Sequence, residues 1–259
     1  MPMNFHDPNN RSSYSTRKAD ESWMTLIKTS VDVKNKQVAD IGCGGGIYTK
    51  ALIELGAGHV TGIDFSDEML IAARKNCAML PNTAFLKGNA YHSTLPEGQV
   101  DIVLERALIH HLNDLNACLK EANRIMKKDG VLIIQDRTPE DCLLPGDENH
   151  IRGFFFEKYP KLATKEVSRR YDSDQVQQAL LANGFRIDRI VPIWETRRRY
   201  SQFGELREDL LLRTGRSILH ELTDDQLRDL ISFIQDKLSD HTAPIVEKDS
   251  WTLWFSVKE

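Results

Sequence analysis

The sequence predicts an α/β fold: a seven-stranded sheet, mostly parallel with an antiparallel last strand, plus a helical insertion that forms a cap. Three observations predict it. Short β-rich runs alternate with segments of helical period through the middle of the chain. The first run ends in a glycine cluster, Gly42-Cys43-Gly44-Gly45-Gly46, where a helix begins. A last apolar run, Trp251–Val257, returns at the far end after a polar helical stretch.

The 259 residues suit one large domain, or one domain with a modest insertion, and 41% hydrophobic content is enough for a sizeable core. With 15 Gly and 9 Pro, collagen-like and low-complexity architectures are excluded. A net charge of −4 argues against a dedicated nucleic-acid binder, which carries a basic footprint. No run reaches the roughly 18 apolar residues of a membrane span. The first residues lack a secretory apolar run, and Cys43, Cys77, Cys118 and Cys142 form no C-x-x-C pair. A reducing, cytoplasmic location is the expectation, with no metal site.

Val38–Ile41 reads as the first buried strand. Ile47, Ala51, Leu52 and Leu55 then recur at helical spacing until Gly56 and Gly58. His59–Asp64 is the second strand. Ser66 is the expected N-cap of the next helix, with Asp67 and Glu68 at the positive end of its dipole. Ala84–Leu86 and Val100–Leu104 follow as strands. Leu115, Leu119, Ala122, Ile125 and Met126 form one helical stripe, and Val131–Ile134 is the fifth strand. From about 139 to 170 no period is visible, although Phe154-Phe155-Phe156 stands out. Val176, Ala179 and Leu180 predict a helix ending at Gly184, and Phe185–Ile193 a sixth strand. Residues 194–245 read as a helical insertion; within it Thr223-Asp-Asp-Gln226 has capping-box spacing ahead of Leu227, Leu230, Ile231 and Ile234. The expected domains are thus an N-terminal helical segment, 1–36, a main domain of 37–193 and 246–259, and the insertion.

The glycine loop carries the chemistry. A dinucleotide fingerprint, G-x-G-x-x-G, would need glycine at position 47, which is Ile47. Here glycines fall at 42, 44 and 46 behind Asp40, giving D-x-G-x-G-x-G, and no Gly-Lys-Ser/Thr follows to make a phosphate loop. Asp64 ends the next strand, where a carboxylate can accept from both ribose hydroxyls; its plain alternative is to cap a turn.

These motifs resemble those of class I S-adenosylmethionine-dependent methyltransferases, within the small-molecule group that includes the ubiquinone and menaquinone type. Asp40–Gly46 is similar to that family's first motif and Gly62-Ile-Asp64 to its second. Gly88-Asn89-Ala90 is similar to the third, with Asn for the usual Asp. Asp101–Arg106, running on to His110-His111-Leu112, is similar to the fourth, and Leu180–Phe185 to the turn before the sixth strand. The resemblance covers roughly residues 37–190 and the final strand. It implies a Rossmann-like sheet, S-adenosylmethionine as methyl donor with S-adenosylhomocysteine as product, and a small-molecule acceptor; it leaves oligomeric state open. By the same resemblance Gly42, Cys43 and Gly44 would hold the methionine end through backbone, with Asp40 beneath its ammonium and Glu105 and Arg106 beside it. Asp64 would hold the ribose. Phe65 and Met69 would flank the adenine, Met69 equally reading as core, and Asn89 and Ala90 would meet its edge. The N-terminal segment would fold over the cofactor and bring Tyr14 or Arg17 to its carboxylate; the plain reading is a frayed terminus.

Displacement at a sulfonium asks mainly for alignment and exclusion of water, and for a base only when the acceptor must lose a proton. His110 and His111, after the fourth strand, are the candidates for that base or for contact with the cofactor; they also read as the start of a packed helix. The basic run Arg197-Arg198-Arg199 could meet nucleic-acid phosphates but has Glu205, Glu208 and Asp209 nearby, as a solvated face would. Two other functions share parts of this pattern: a nicotinamide-dependent oxidoreductase, and a non-catalytic S-adenosylmethionine-binding protein.

Overall fold

The computed structural model describes residues 18–239 and 244–259. In chain order it holds α1 (Glu21–Ser30), β1 (Gln37–Ile41), α2 (Ile47–Glu54), β2 (His59–Asp64), α3 (Asp67–Asn76), β3 (Thr83–Lys87) and β4 (Val100–Arg106). A 3-10 turn at Ile109–His111 leads to α4 (Leu115–Ile125) and β5 (Met126–Asp136). Then come α5 (Pro139–Cys142), α6 (Ile151–Lys158), α7 (Pro160–Val167), α8 (Ser173–Ala182), β6 (Phe185–Tyr200), α9 (Phe203–Leu211), α10 (Asp224–Lys237) and β7 (Ile245–Lys258). The strands lie in the order β3-β2-β1-β4-β5-β7-β6. β1 pairs parallel with β2 and β4, and β7 pairs antiparallel with β5 from Val131↔Val257 to Asp136↔Thr252. The Rossmann-like α/β expectation therefore holds, and the order of strands reverses at β1 and β4, where such sheets bind ligands.

By internal packing the described chain forms two compact units. The first holds 18–136, Tyr171–Ile193 and Thr252–Glu259. Its core is the sheet's apolar residues, among them Ala39, Ile41, Val103, Leu132 and Trp254, against Leu115, Leu119, Ala122 and Ile125 of α4. Each such side chain contributes roughly 1.5–3 kcal/mol by leaving water. The caps are local: Asp20, Ser66 and Asp114 each accept a backbone N–H in the first turn of α1, α3 and α4.

The second unit holds Arg137–Arg170 and Trp194–Trp251. The stretch that shows no sequence period folds into three short helices. Phe154, Phe155 and Phe156 are all buried, with Leu206, Leu210, Leu230 and Ile234, so α6 has no polar face to reveal its period. The insertion is not helical from its start, because β6 runs on to Tyr200 and β7 begins at Ile245. Its inward residues there include Glu195, Tyr200, Glu247 and Asp249, which are buried but polar. An alternation carried by charged side chains is invisible to a hydrophobicity pattern.

Their burial is made tolerable by pairing. Arg216, fully buried, donates to Asp209 Oδ2 at 2.5 Å, to Glu247 Oε2 at 2.6 Å and to the Tyr200 hydroxyl at 3.1 Å. Arg197 Nε lies 3.3 Å from Glu247, and Arg198 donates to Asp209 Oδ1 at 2.6 Å. Two residues of the basic run are thus committed to carboxylates inside this unit.

Candidate active site

The site is built at the C-terminal ends of β1, β2 and β4. Gly42, Gly44 and Gly46 all have positive φ, at 74°, 50° and 79°, a backbone region in which a Cβ is disfavoured. Gly46 also lets α2 start close to α3, since a Cβ there would lie 3.2 Å from Ala73. Among the described residues, a Cβ on Gly44 would meet nothing within 4 Å.

The loop's N–H groups point inward. Gly42 and Cys43 both donate to the Ile63 carbonyl, at 2.8 and 3.0 Å, and Gly46 donates to Cys43 at 2.9 Å. Gly44 donates to Asp64 Oδ2 at 2.9 Å, while Ser66 donates to Oδ1 at 2.9 Å. These donors are consumed by the fold, unlike those of a phosphate-binding loop, which are presented to the ligand. Asp64 is buried and held by one backbone donor on each oxygen. Asp64 therefore caps the turn before α3 and joins it to the glycine loop.

Asp40 lies beneath the loop, buried, and accepts from Thr49 Oγ1 at 2.6 Å. Burial raises its carboxyl to about 6, the Thr49 hydrogen bond working against the rise; Asp64's charge adds to it and Arg106's opposes it. The Arg106 guanidinium stands 4.0 Å over the Tyr48 ring, and Tyr48 meets Trp23 of α1 edge-on at 4.8 Å. Aromatic faces attract a cation in this geometry and restrict its rotamers.

Glu105 is placed differently from its neighbour. Its side chain is fully buried against α4, where Cys118 Sγ lies 3.2 Å from Oε1, and Oε2 has no hydrogen-bond partner among the described residues. Burial lifts its carboxyl to about 7, the Cys118 contact acting in the opposite sense. An unfolded glutamate releases its proton near 4.3. The native state therefore binds more protons between about pH 4 and 7, and stability falls as pH rises through that window. Glu105→Gln is expected to gain roughly 2–3 kcal/mol over wild type at pH 8 and little at pH 4. Urea midpoints of both proteins at the two pH values measure this; a difference that does not change with pH would refute it.

The third motif is committed locally. Asn89 Oδ1 accepts from Tyr91 N at 2.8 Å and His92 N at 3.0 Å, so the adenine amino group expected there would compete with two backbone donors. Ala90 and Met69 are buried, while Phe65 is 48% exposed. Met69 thus takes the core reading, and Phe65 is the member of that pair that presents its ring outward. Tyr14 and Arg17 lie outside the described residues.

Gly62 contributes in a way that the motif alone did not explain. A Cβ there would fall 2.8 Å from the Phe85 ring and 2.9 Å from Cys43 Sγ. Gly62→Ala must push the glycine loop and β3 apart together, and is expected to cost about 1–3 kcal/mol. Equilibrium unfolding in urea measures it; an unchanged midpoint would show that both neighbours yield freely.

The histidines separate. His110 Nδ1 lies 2.9 and 2.8 Å from the two oxygens of Asp136, at the end of β5, and its backbone N–H donates to Asp136 Oδ2 at 3.3 Å. Asp136 is buried, and the His110 side chain is 11% exposed. His111 is exposed, its ring centroid 3.9 Å from that of His110. The turn before them contains Ala107 at φ 50°, a left-handed conformation that costs an L-residue about 1–2 kcal/mol. No local motif marks Asp136: it ends β5, 26 residues from His110, and only the strand order brings the two together.

Comparison with known proteins agrees with this geometry. Residues 39–134 match the methyltransferase domain family. The ubiquinone biosynthesis O-methyltransferase of Pelagibacter ubique is 29% identical over 102 residues, 39% of this chain and 42% of that protein. The demethylmenaquinone methyltransferase of Staphylococcus aureus (strain MRSA252) is 30% identical over 114 residues, 43% of this chain and 47% of that protein. The chain spans about half the length of the curated relatives it matches. Among solved structures, a putative methyltransferase from an antibiotic biosynthesis pathway of Anabaena variabilis superposes with a TM-score of 0.68 at 20% identity, covering 92% of this chain and 98% of that one. The YcgJ protein from Bacillus subtilis superposes with a TM-score of 0.59 at 18% identity, covering 91% and 97%. The resemblance to class I S-adenosylmethionine-dependent methyltransferases is borne out over the domain that carries the glycine loop.

Proposed function

We propose that this chain, whose residues 39–134 match the methyltransferase domain family, transfers a methyl group from S-adenosylmethionine to a small-molecule acceptor by direct displacement. One observation carries the reading. The glycine loop spends the N–H groups of Gly42, Cys43, Gly44 and Gly46 on the fold, and two buried carboxylates, Asp40 and Asp64, lie against it. Such a surface suits a cationic amino-acid end and a ribose, and opposes a pyrophosphate. The nicotinamide alternative is disfavoured on the same ground.

The residues fit the group. Among the described residues nothing crowds Gly44, Asp64 ends β2 beside the loop, and Asp40 and Arg106 supply opposite charges for an ammonium and a carboxylate. Bound S-adenosylmethionine supplies an electrophilic methyl on a sulfonium whose departure leaves a neutral thioether. The chain's own work is then to hold and align. Asp64 fixes the sugar, Phe65 offers a flat ring, and the stacked Arg106 keeps its charge in one place. Tyr14 and Arg17 belong to the same proposal as contacts to the carboxylate, with Asn89 and Ala90 at the adenine edge. His110 and His111 are the candidates for contact with the reacting groups.

The quinone-pathway names of the similar proteins make a small aromatic or apolar acceptor the reading for this chain too, with no nucleic acid and no membrane partner. No helix among the described residues is long and apolar enough to cross a membrane. Four buried, unbridged thiols suit a reducing cytoplasm.

Calorimetry with S-adenosylmethionine, S-adenosylhomocysteine and NAD tests the assignment. Binding of the first two and not of NAD is expected; NAD binding alone would overturn it. A non-catalytic binding protein would bind both sulfur compounds yet never consume the methyl donor.

A further inference from the structure

We propose that the end of the sheet opposite the glycine loop holds a second small-molecule site, and that this site takes a purine base. Helices join β1 to β2, β2 to β3 and β4 to β5, but residues 88–99, between β3 and β4, contain none. Hydrogen bonds to α4 hold this loop in place. Ser93 N–H donates to Glu121 Oε1 at 2.7 Å, the Leu95 carbonyl accepts from Arg124 at 2.7 Å, and Gly98 N–H donates to the Arg124 carbonyl at 2.9 Å. A cavity of about 300 Å³ lies between the loop and the first residues of β1, β2 and β4. All of its lining belongs to the first unit.

Val38, Leu95 and Val100, all buried, give the cavity its apolar wall. Its polar groups come from Gln37, His59, Thr61 and Gln99. Gln37 pairs with His59 and Ala39 with Thr61, so strand alternation puts Gln37, His59 and Thr61 on one face of the sheet. Their neighbourhood is fixed by the backbone. Gln37 N–H donates to Asp101 Oδ2 at 2.8 Å, His59 N–H to the Lys36 carbonyl at 3.2 Å and Gln99 N–H to the Ile125 carbonyl at 2.8 Å. No hydrogen bond within the described residues engages the four side chains. An apolar wall with a few convergent polar groups is the usual make-up of a small-ligand site. Three features select the ligand. The volume stands at the lower end of the range for such sites, about 300–1,000 Å³, which suits a base and not a dinucleotide. No Lys, Arg, Asp or Glu lines the cavity among the described residues, so a phosphate or carboxylate finds no counter-charge. Each carboxamide sets a donor beside an acceptor, the arrangement with which a glutamine reads the amino and ring-nitrogen edge of adenine in nucleic acids. The glycine loop begins at the other end of β1, roughly 16 Å from Gln37 along the strand. A ligand at one end therefore leaves the other end open.

The test follows proton–nitrogen NMR spectra of the isotope-labelled full chain as adenine is added at millimolar concentration, with and without S-adenosylhomocysteine. The side-chain amide signals of Gln37 and Gln99 are assigned by their loss in Gln37→Leu and Gln99→Leu; both glutamines are exposed, so neither change disturbs the core. Both pairs of signals are expected to shift with adenine under either condition. Each single variant should weaken adenine binding by about 2- to 10-fold, and the double variant by about 10- to 100-fold. Dimethylaminopurine, whose exocyclic nitrogen has no hydrogen to give, should bind wild type more weakly than adenine by about 2- to 10-fold. Adenosine, run beside adenine, decides between a nucleoside and the free base, and either one in the cavity upholds the proposal. Unmoved glutamine signals would overturn it, as would shifts confined to Gly42, Gly44 and Gly46, which place adenine in the cofactor site alone. A double variant that binds adenine as tightly as wild type would overturn it too. S-adenosylhomocysteine that leaves the glycine-loop signals unmoved would sink the methyl-transfer reading and leave this proposal standing.

Discussion

Asp64→Ala should weaken S-adenosylhomocysteine binding by about 100- to 1,000-fold, since hydrogen bonds to a charged group contribute about 1.5–3 kcal/mol each. Two ribose hydroxyls are the proposed donors. The alanine protein loses more than those contacts, because Gly44 N–H and Ser66 N–H lose their acceptor as well. Each unsatisfied buried donor costs about 1–3 kcal/mol, so thermal stability should fall together with affinity. Asp64→Asn separates the two effects. Its carbonyl can keep one of the backbone donors, and affinity should fall less steeply than in the alanine protein. Calorimetry beside a thermal melt reads both quantities. A folded Asp64→Ala protein with wild-type affinity would remove the ribose assignment and leave Asp64 as a turn cap.

Arg216→Ala is expected to destabilise the protein by about 3–5 kcal/mol, because it strands two carboxylates in a buried setting. Arg216 joins Asp209, Glu247 and Tyr200, each buried. Burial alone would push the Asp209 carboxyl up, but the Arg216 guanidinium beside it outweighs that and holds it below the ordinary carboxylate range. A lowered carboxyl contributes stability above its unfolded value near 3.9, and that stability is lost as pH falls through the native value. Wild type should therefore weaken in acid, and the variant should show a shallower acid limb along with its lower stability at pH 7. Denaturant unfolding at pH 3, 5 and 7 measures both. A loss under 1 kcal/mol at pH 7 would mean that water or Arg197 and Arg198 compensate. Replacing the whole cluster with apolar residues of similar volume is a different experiment, since such swaps are often neutral or stabilising.

The legibility of the chain follows from where its information is stored. The glycine loop was readable because positive φ at three alternate positions demands one residue type, so the backbone requirement is written in the letters. The strand–helix alternation of the first unit was readable because its elements are apolar on the buried side, as α4 is. The second unit was obscure for the opposite reason. Its strands turn Glu195, Tyr200, Glu247 and Asp249 inward, and Arg216 and Arg137, which pair with Glu247 and Asp249, lie far off in the chain.

The same division runs through the candidate site. Asp40, Asp64 and the glycines sit in short stretches joined by one helix, and their motif was legible enough to carry the resemblance to S-adenosylmethionine-dependent methyltransferases. How the other candidate residues are placed was decided only by the tertiary structure. Folding turned the Asn89 carbonyl back onto its own turn, buried Met69 and Glu105, and left Phe65 outward. It also brought Asp136 to His110, the first of two adjacent histidines. Local order can be encoded by residue type and spacing, because those bear on neighbouring dihedrals and caps. A pairing between the ends of β4 and β5 depends on strand order and register, which arise only when the whole sheet closes on its core.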